Sequence, residues 1–385
     1  MSVVAMATLV VACGGDATSP PVASPTSSAA ATITYAAATT TAAASQATTT
    51  TYAAASTTTA AASQATATTH AAATMTAVVV ATTTTATPTT TTSPPWRRLS
   101  PDPYLGAFMP TLQLPEEQYH LGTSDRLLDV GANAVMVGLI IPYGNDGTVK
   151  ADWIDYPWLT TTIRQFHEAG LAVGVALGPI NVEERGEPGP VPPEIRSTLL
   201  EGLTPVVSGV AALLEANGVE VFAPLNEVDY QLGVETASRW SQEVRPAIRA
   251  RFTGRLLWKG SLFEHAGGGP APDIDFTGYD IVGFTLFPHS GIASYPGMVR
   301  NTIDNIRSWA TEDGVDELWV AEFGSYEQVP IGRDEIPDSI RIVLEVGADD
   351  LDGFFVFDPP RGFGVSLGEP DLWAAVSDGF AATSG

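Results

Sequence analysis

VEVFAPLNE, residues 219–227, decides how this chain is read. A mostly apolar, β-branched run climbs like a buried strand and stops on an amide and a carboxylate. Before it, residues 193–218 carry apolar side chains at helical spacing and close on Asn-Gly. After it, ETASRWSQEVRPAIRARF (235–252) returns to the helical period. A near-continuous apolar run between two amphipathic helices marks a parallel strand buried on both faces.

The same beat repeats in both directions. Strands are expected at YLGAFM (104–109), AVMVGLII (134–141), AVGVAL (172–177) and VEVFAPL (219–225). They continue with RLLWKG (255–260), DIVGFTL (280–286), ELWVAE (317–322) and GFFVFD (353–358). Helical patterns lie at 157–170, 295–314 and 334–350, and PDLWAAVSDGFAA (370–382) closes the chain. Gly170 and Gly314, each just ahead of a strand, are placed to terminate helices. Eight strands alternating with about eight helices in roughly 280 residues is the count of an α/β (β/α)8 TIM barrel. An open doubly wound sheet is the structural alternative. No G-x-G-x-x-G or G-x-x-x-x-G-K loop follows a strand, which weighs against a nucleotide fold.

Residues before Trp96 have another texture. Residues 14–95 are almost all Thr, Ala, Ser and Pro, and YAAATTTAAASQ (35–46) recurs as YAAASTTTAAASQ (52–64). Such a tract has little to bury, so it reads as a low-complexity linker, of the kind that forms O-glycosylated stalks. The one cysteine, Cys13, ends the apolar LVVAC and resembles a bacterial lipobox, which implies a signal peptide (1–13) and lipidation at Cys13. MSVVAM has no positive charge, unlike an ordinary signal start. No later segment reads as the ~20 apolar residues needed to cross a bilayer. A single cysteine excludes an internal disulfide framework.

The formal net charge is −25; every Lys and Arg lies at or after Arg97, and Asp16 alone among the acids lies before it. An acidic domain of this kind is not expected to bind nucleic acid, which needs a positive field. It suits an exported or surface-held protein with a neutral ligand such as a carbohydrate. A monomer is expected.

In a barrel the chemistry lies beyond the C-terminal strand ends. The fourth strand ends on Asn226-Glu227 and the seventh on Glu322-Phe323-Gly324. Two carboxylates facing each other across a barrel mouth are what glycoside hydrolysis requires, one to protonate the leaving oxygen and one to attack the anomeric carbon. The bland reading of Glu227 is a solvated carboxylate helping to cap the helix that follows.

With these residues in place, the chain resembles the clan A glycoside hydrolases, retaining (β/α)8 enzymes that include the endo-β-1,4-galactanases, β-mannanases and cellulase-like families. Asn226-Glu227 matches that clan's acid/base motif, and WVAEFG around Glu322 its nucleophile motif. YDIVGFTLFPHSG (279–291) is similar to the sixth-strand segment of the galactanases and related mannanases. The resemblance covers about 104–380. It implies a Glu227 acid/base, a Glu322 nucleophile, an Asn226 contact to the sugar 2-hydroxyl, endo-acting hydrolysis and no cofactor.

Four departures accompany it. Val228 replaces the usual Pro after Asn-Glu; the second strand lacks the Arg that many members use to hold the nucleophile. The sixth strand runs into Phe287-Pro288-His289 where a Tyr partner is common, so His289 is offered as that partner. The eighth strand lacks the usual Trp.

Aromatic rings stack on pyranose faces. The substrate-binding candidates are Phe287, Trp258, Tyr143 and Trp153, with Trp158 and Tyr326 also near predicted loop tops. Trp258 points either to the cleft or to the helix shell, and Trp319 belongs to the core. Asp358 faces the cleft or pairs with Arg361. The loops 181–193 and 266–273 are long enough to shape subsites. NDGTVKAD (145–152) lacks the ligand density of a calcium loop, and no H-E-x-x-H or G-x-S-x-G motif occurs. Metal: none is expected. The rivals to a glycosidase are a barrel lyase or isomerase using either Glu as a base, and a degenerate barrel that binds glycan without cleaving it.

Overall fold

The computed structural model describes residues 98–110, 121–183, 189–262, 271–289, 291–324, 331–359 and 369–384. The expected signal segment, Cys13, the linker 14–95, Tyr326 and Arg361 lie outside these residues, as do parts of the loops 181–193 and 266–273.

Eight strands form a closed barrel in chain order: β1 (Tyr104–Met109), β2 (Ala134–Tyr143), β3 (Ala172–Asn181), β4 (Val221–Ala223), β5 (Arg255–Gly260), β6 (Ile281–Leu286), β7 (Glu317–Phe323) and β8 (Gly353–Phe357). Every neighbouring pair is parallel, and β1 pairs with β8 from Tyr104↔Gly353 to Phe108↔Phe357. Closure removes both sheet edges and excludes the open sheet. The strands β1 and β5 fall where the sequence places them. β2 and β3 run on to Tyr143 and Asn181, whereas β4 keeps only three residues.

Alternation along each strand sorts side chains into two cores. Leu105, Val135, Val173, Phe222, Leu256, Val282 and Phe354 face outward to the helices. Tyr104, Ala134, Ala172, Val221, Leu257, Ile281 and Phe355 face the axis, joined by Trp319. The rings of Tyr104 and Phe355 lie 4.6 and 5.1 Å from that of Trp319, so three aromatics fill the lower barrel. The barrel is a packed core rather than a pore.

Helices α1 (Ser124–Asp129), α2 (Tyr156–Glu168), α3 (Arg196–Ala216), α4 (Val228–Leu232), α5 (Val234–Arg249), α6 (Tyr295–Glu312), α7 (Ile336–Gly347) and α8 (Pro370–Thr383) occupy the connections. Asp155 caps α2 by accepting from Trp158 N–H at 2.9 Å. Gly170 and Gly314 leave α2 and α6 at φ +85° and +76°, a region only glycine enters freely. Residues Pro193–Ala216 are long and apolar enough to cross a membrane, which the sequence reading did not register. Here Leu199, Leu203, Val207, Val210 and Leu214 bury in the helix-facing core.

One irregularity bears on function. Phe284 pairs with Val320, but the next residue, Thr285, pairs with Glu322, so Ala321 is an extra residue in β7. The β7–β8 pairing breaks over the same stretch. Leu318, Val320 and Phe323 face the helices while Trp319 faces the axis. Strict alternation from Trp319 would send Glu322 outward. The bulge re-aims it into the barrel mouth.

Candidate active site

Glu227 sits just past β4 in the left-handed region, at φ +47° and ψ +50°. For a residue with a side chain this conformation costs about 1–2 kcal/mol, and such strain gathers at functional sites. The side chain makes no cap hydrogen bond to α4. Instead Thr285 Oγ1, on the inner face of β6, donates to Glu227 Oε1 at 3.1 Å. The bland capping role is therefore not the one this carboxylate plays.

Glu322 is buried at the end of β7. Lys259 Nζ, from the inner face of β5, donates to its Oε2 at 2.9 Å and also to Asn226 Oδ1. The same ammonium lies 4.3 Å from the ring centroid of Phe108. Asp229, in the first turn of α4, accepts from Ser261 N–H at 2.7 Å, Ser261 Oγ at 2.9 Å and Leu262 N–H at 2.9 Å. It thereby anchors the chain just beyond Lys259 to the segment that carries Glu227.

The two carboxylates live in opposite electrostatic surroundings. Desolvation first, then the charges of Glu322 and Asp229, push Glu227 up to about 7, against the opposing pull of Lys259 and the Thr285 hydrogen bond. Glu322 is ion-paired with a buried ammonium. A carboxyl pushed toward its neutral form beside an ion-paired one is an arrangement in which one group can give a proton while the other attacks.

The other candidates divide. Asn226 stands beside Glu227, held by Lys259. Phe287 is buried past β6, its ring 5.9 Å and edge-on from Phe357, which in turn lies 6.4 Å from Phe108. These three phenylalanines line the mouth beside Lys259. Trp153 stands 60% exposed on a short 3-10 turn after β2. His289 lies exposed three residues past β6, and the partner of Glu322 is Lys259, the role for which His289 was offered.

Two candidates are corrected. Trp258 is buried between barrel and helices, edge-on to Phe276 at 5.0 Å, because alternation turns it away from its inward neighbours Leu257 and Lys259. Tyr143 is buried in the same helix-facing layer. Asp358 is fully buried and accepts from Leu121 N–H at 2.6 Å. Residues 145–152 form a polar turn in which Asp146 accepts from Thr148 N–H at 2.9 Å.

The sequence reading missed Lys259, Thr285, Asp229, Phe108 and Phe357. Lys259 had a signal: it is a cation two residues after Leu257 in an apolar strand, so both share the inward face.

No protein-family model matches the chain, and no curated protein sequence matches it. Among solved structures, it is similar to a GH113 beta-1,4-mannanase at 13% identity and a TM-score of 0.55, over 72% of this chain and 98% of that one. An endo-1,4-beta-D-mannanase from Thermotoga petrophila aligns at 12% identity and 0.55, over 72% and 99%. A Bacteroides ovatus GH5 xyloglucanase aligns at 12% and 0.51, over 72% and 75%. At this identity the likeness establishes the fold: the chain shares the (β/α)8 barrel of these clan A glycosidases.

Proposed function

We propose that this chain is a retaining glycoside hydrolase that cleaves a β-linked polysaccharide or oligosaccharide with two glutamates. The observation that carries this is the pairing of a proton-holding Glu227 with an ion-paired Glu322 at one barrel mouth. The names of the similar structures, two β-mannanases and a xyloglucanase, support a β-linked glycan.

In the first step Glu322 attacks C1 as Glu227 gives its proton to the departing glycosidic oxygen, leaving a glycosyl ester on Glu322. Glu227, now ionised, takes a proton from water; that water attacks C1 and releases Glu322. Thr285 steadies the Glu227 carboxyl, Asn226 meets a sugar hydroxyl, and the phenylalanines of the mouth offer an apolar wall to the pyranose C–H face. Trp153, exposed on the turn after β2, is proposed as a further stacking ring. Endo action, export and a lipid anchor on Cys13 with the 14–95 tract as a stalk belong to the same proposal.

The test uses the full chain, wild type beside Glu322→Ala, on β-mannans, β-glucans, β-galactans and xylans, counting new reducing ends. Release by wild type and not by the variant is the expected result. Silence from wild type with retention on an insoluble glycan would replace hydrolysis with binding.

A further inference from the structure

Among the described residues of the mouth, Lys259 carries a charge to which the reaction, as written above, gives no task. Its side chain is 0% exposed. Its β5 position, two after the inward Leu257, makes it an inner-face residue whose stem rises through the barrel interior. A lone ammonium there would forfeit its hydration, so its retention demands partners. It has three: Glu322, Asn226 and the face of Phe108. Strand β2, where resembling families keep an arginine on the nucleophile, supplies no cation over Ala134–Tyr143.

We propose that Lys259 is the positioning residue of this site, an ammonium supplied from β5 that holds Glu322 as an aimed anion and sets the orientation of Asn226. This rests on the glycosidase reading for its catalytic consequence. The lysine is a compact point charge, so one Nζ reaches both partners where a planar guanidinium would need a wider slot. By donating to Asn226 Oδ1, it leaves the amide NH2 as the group that faces a sugar hydroxyl. Asp229 fixes Ser261 and Leu262, the residues that follow β5, and so limits the freedom of Nζ. Positive charge at this spot also opposes the rise of Glu227, so one residue acts on both carboxylates. An imine-forming lysine is the competing role, and it requires a neutral, reachable amine.

The experiment has one arm that needs no substrate. In 15N-labelled full-length protein, a slowly exchanging Lys259 ammonium signal should be present in wild type, absent in Lys259→Met, and displaced in Glu322→Gln and in Asn226→Ala. In the activity arm, Lys259→Met should lower kcat/KM by roughly 10²-fold, the scale of a misplaced reacting group. It should also move the alkaline limb of the pH profile upward as Glu227 loses the opposing charge. Lys259→Ala should regain rate with propylammonium and not with 1-propanol, which a purely structural loss would not do. No ammonium signal, or one indifferent to Glu322, overturns the proposal. So does an unchanged rate and pH profile in Lys259→Met, or inactivation of wild type by borohydride with a small carbonyl compound. An inactive wild type with the coupled ammonium signal intact would sink the glycosidase reading while leaving the Lys259 pairing in place.

Discussion

Glu227 carries two costs at once, a left-handed backbone and a carboxyl whose proton is held up to about 7. The second has a sign that can be measured. In the unfolded chain this group titrates near 4.5, so between about 4.5 and 7 the folded state binds more protons. Stability from Glu227 is therefore whole below 4.5 and is lost as pH rises through 7. Glu227→Gln should melt above wild type at pH 8, and the gap should close at pH 4, even as turnover drops roughly 10²–10⁴-fold. Equal melting temperatures at both pH values would show that Glu227 is not strained by ionisation. Asn226, Glu227 and Glu322 were legible in sequence because polar residues ending apolar runs are conspicuous. Thr285 and Lys259 were not, since a hydroxyl or a stemmed cation inside a strand is compatible with either face. The two rings assigned wrongly, Trp258 and Tyr143, show that ring type alone does not give the side of a strand.

At the level of the element, β7 was placed correctly and its bulge was not. LWVAEF gives no sequence sign of the extra residue; the break exists only in the pairing with Thr285 on one side and β8 on the other. The irregularity has a specific consequence: the bulge absorbs Ala321, so Glu322 keeps the face it would have if that residue were missing. Deleting Ala321 should make the pairing regular, with Val320 opposite Phe284 and Glu322 opposite Thr285, and leave Glu322, now two places after Trp319, on the inner face with turnover retained. Circular dichroism of the deletion variant should stay that of a barrel. Turnover as low as that of Glu322→Ala in a folded deletion variant would mean that the bulge itself, and not only the face on which Glu322 lies, sets the aim of the carboxylate. The shortness of β4 has a different origin. Glu220, expected inside the strand, spends its carboxylate on Val173 N–H, Leu99 N–H and His167 at the barrel floor. Pro224, at the other end, has no N–H to give to the ladder.

For the whole molecule, the alternating beat of strands and helices made a parallel sheet evident, and the count favoured a barrel. Closure itself rests on Tyr104 meeting Gly353, a contact between the ends of the domain that no local pattern encodes. The acidic balance, −25 overall, pointed away from polyanions and toward an uncharged ligand, and the mouth lined by phenylalanines agrees with that preference. The cluster around Lys259 ties β1, β4, β5 and β7 through Phe108, Asn226, Lys259 and Glu322. Removing one partner of such a buried pair costs ~3–5 kcal/mol, whereas replacing both by apolar residues is near neutral. That asymmetry reaches into descent. A lineage that abandoned turnover but kept the barrel could not drift through the loss of either residue alone without weakening the domain. Its surviving members should carry both Lys259 and Glu322 or neither, so the pair is inherited as a unit.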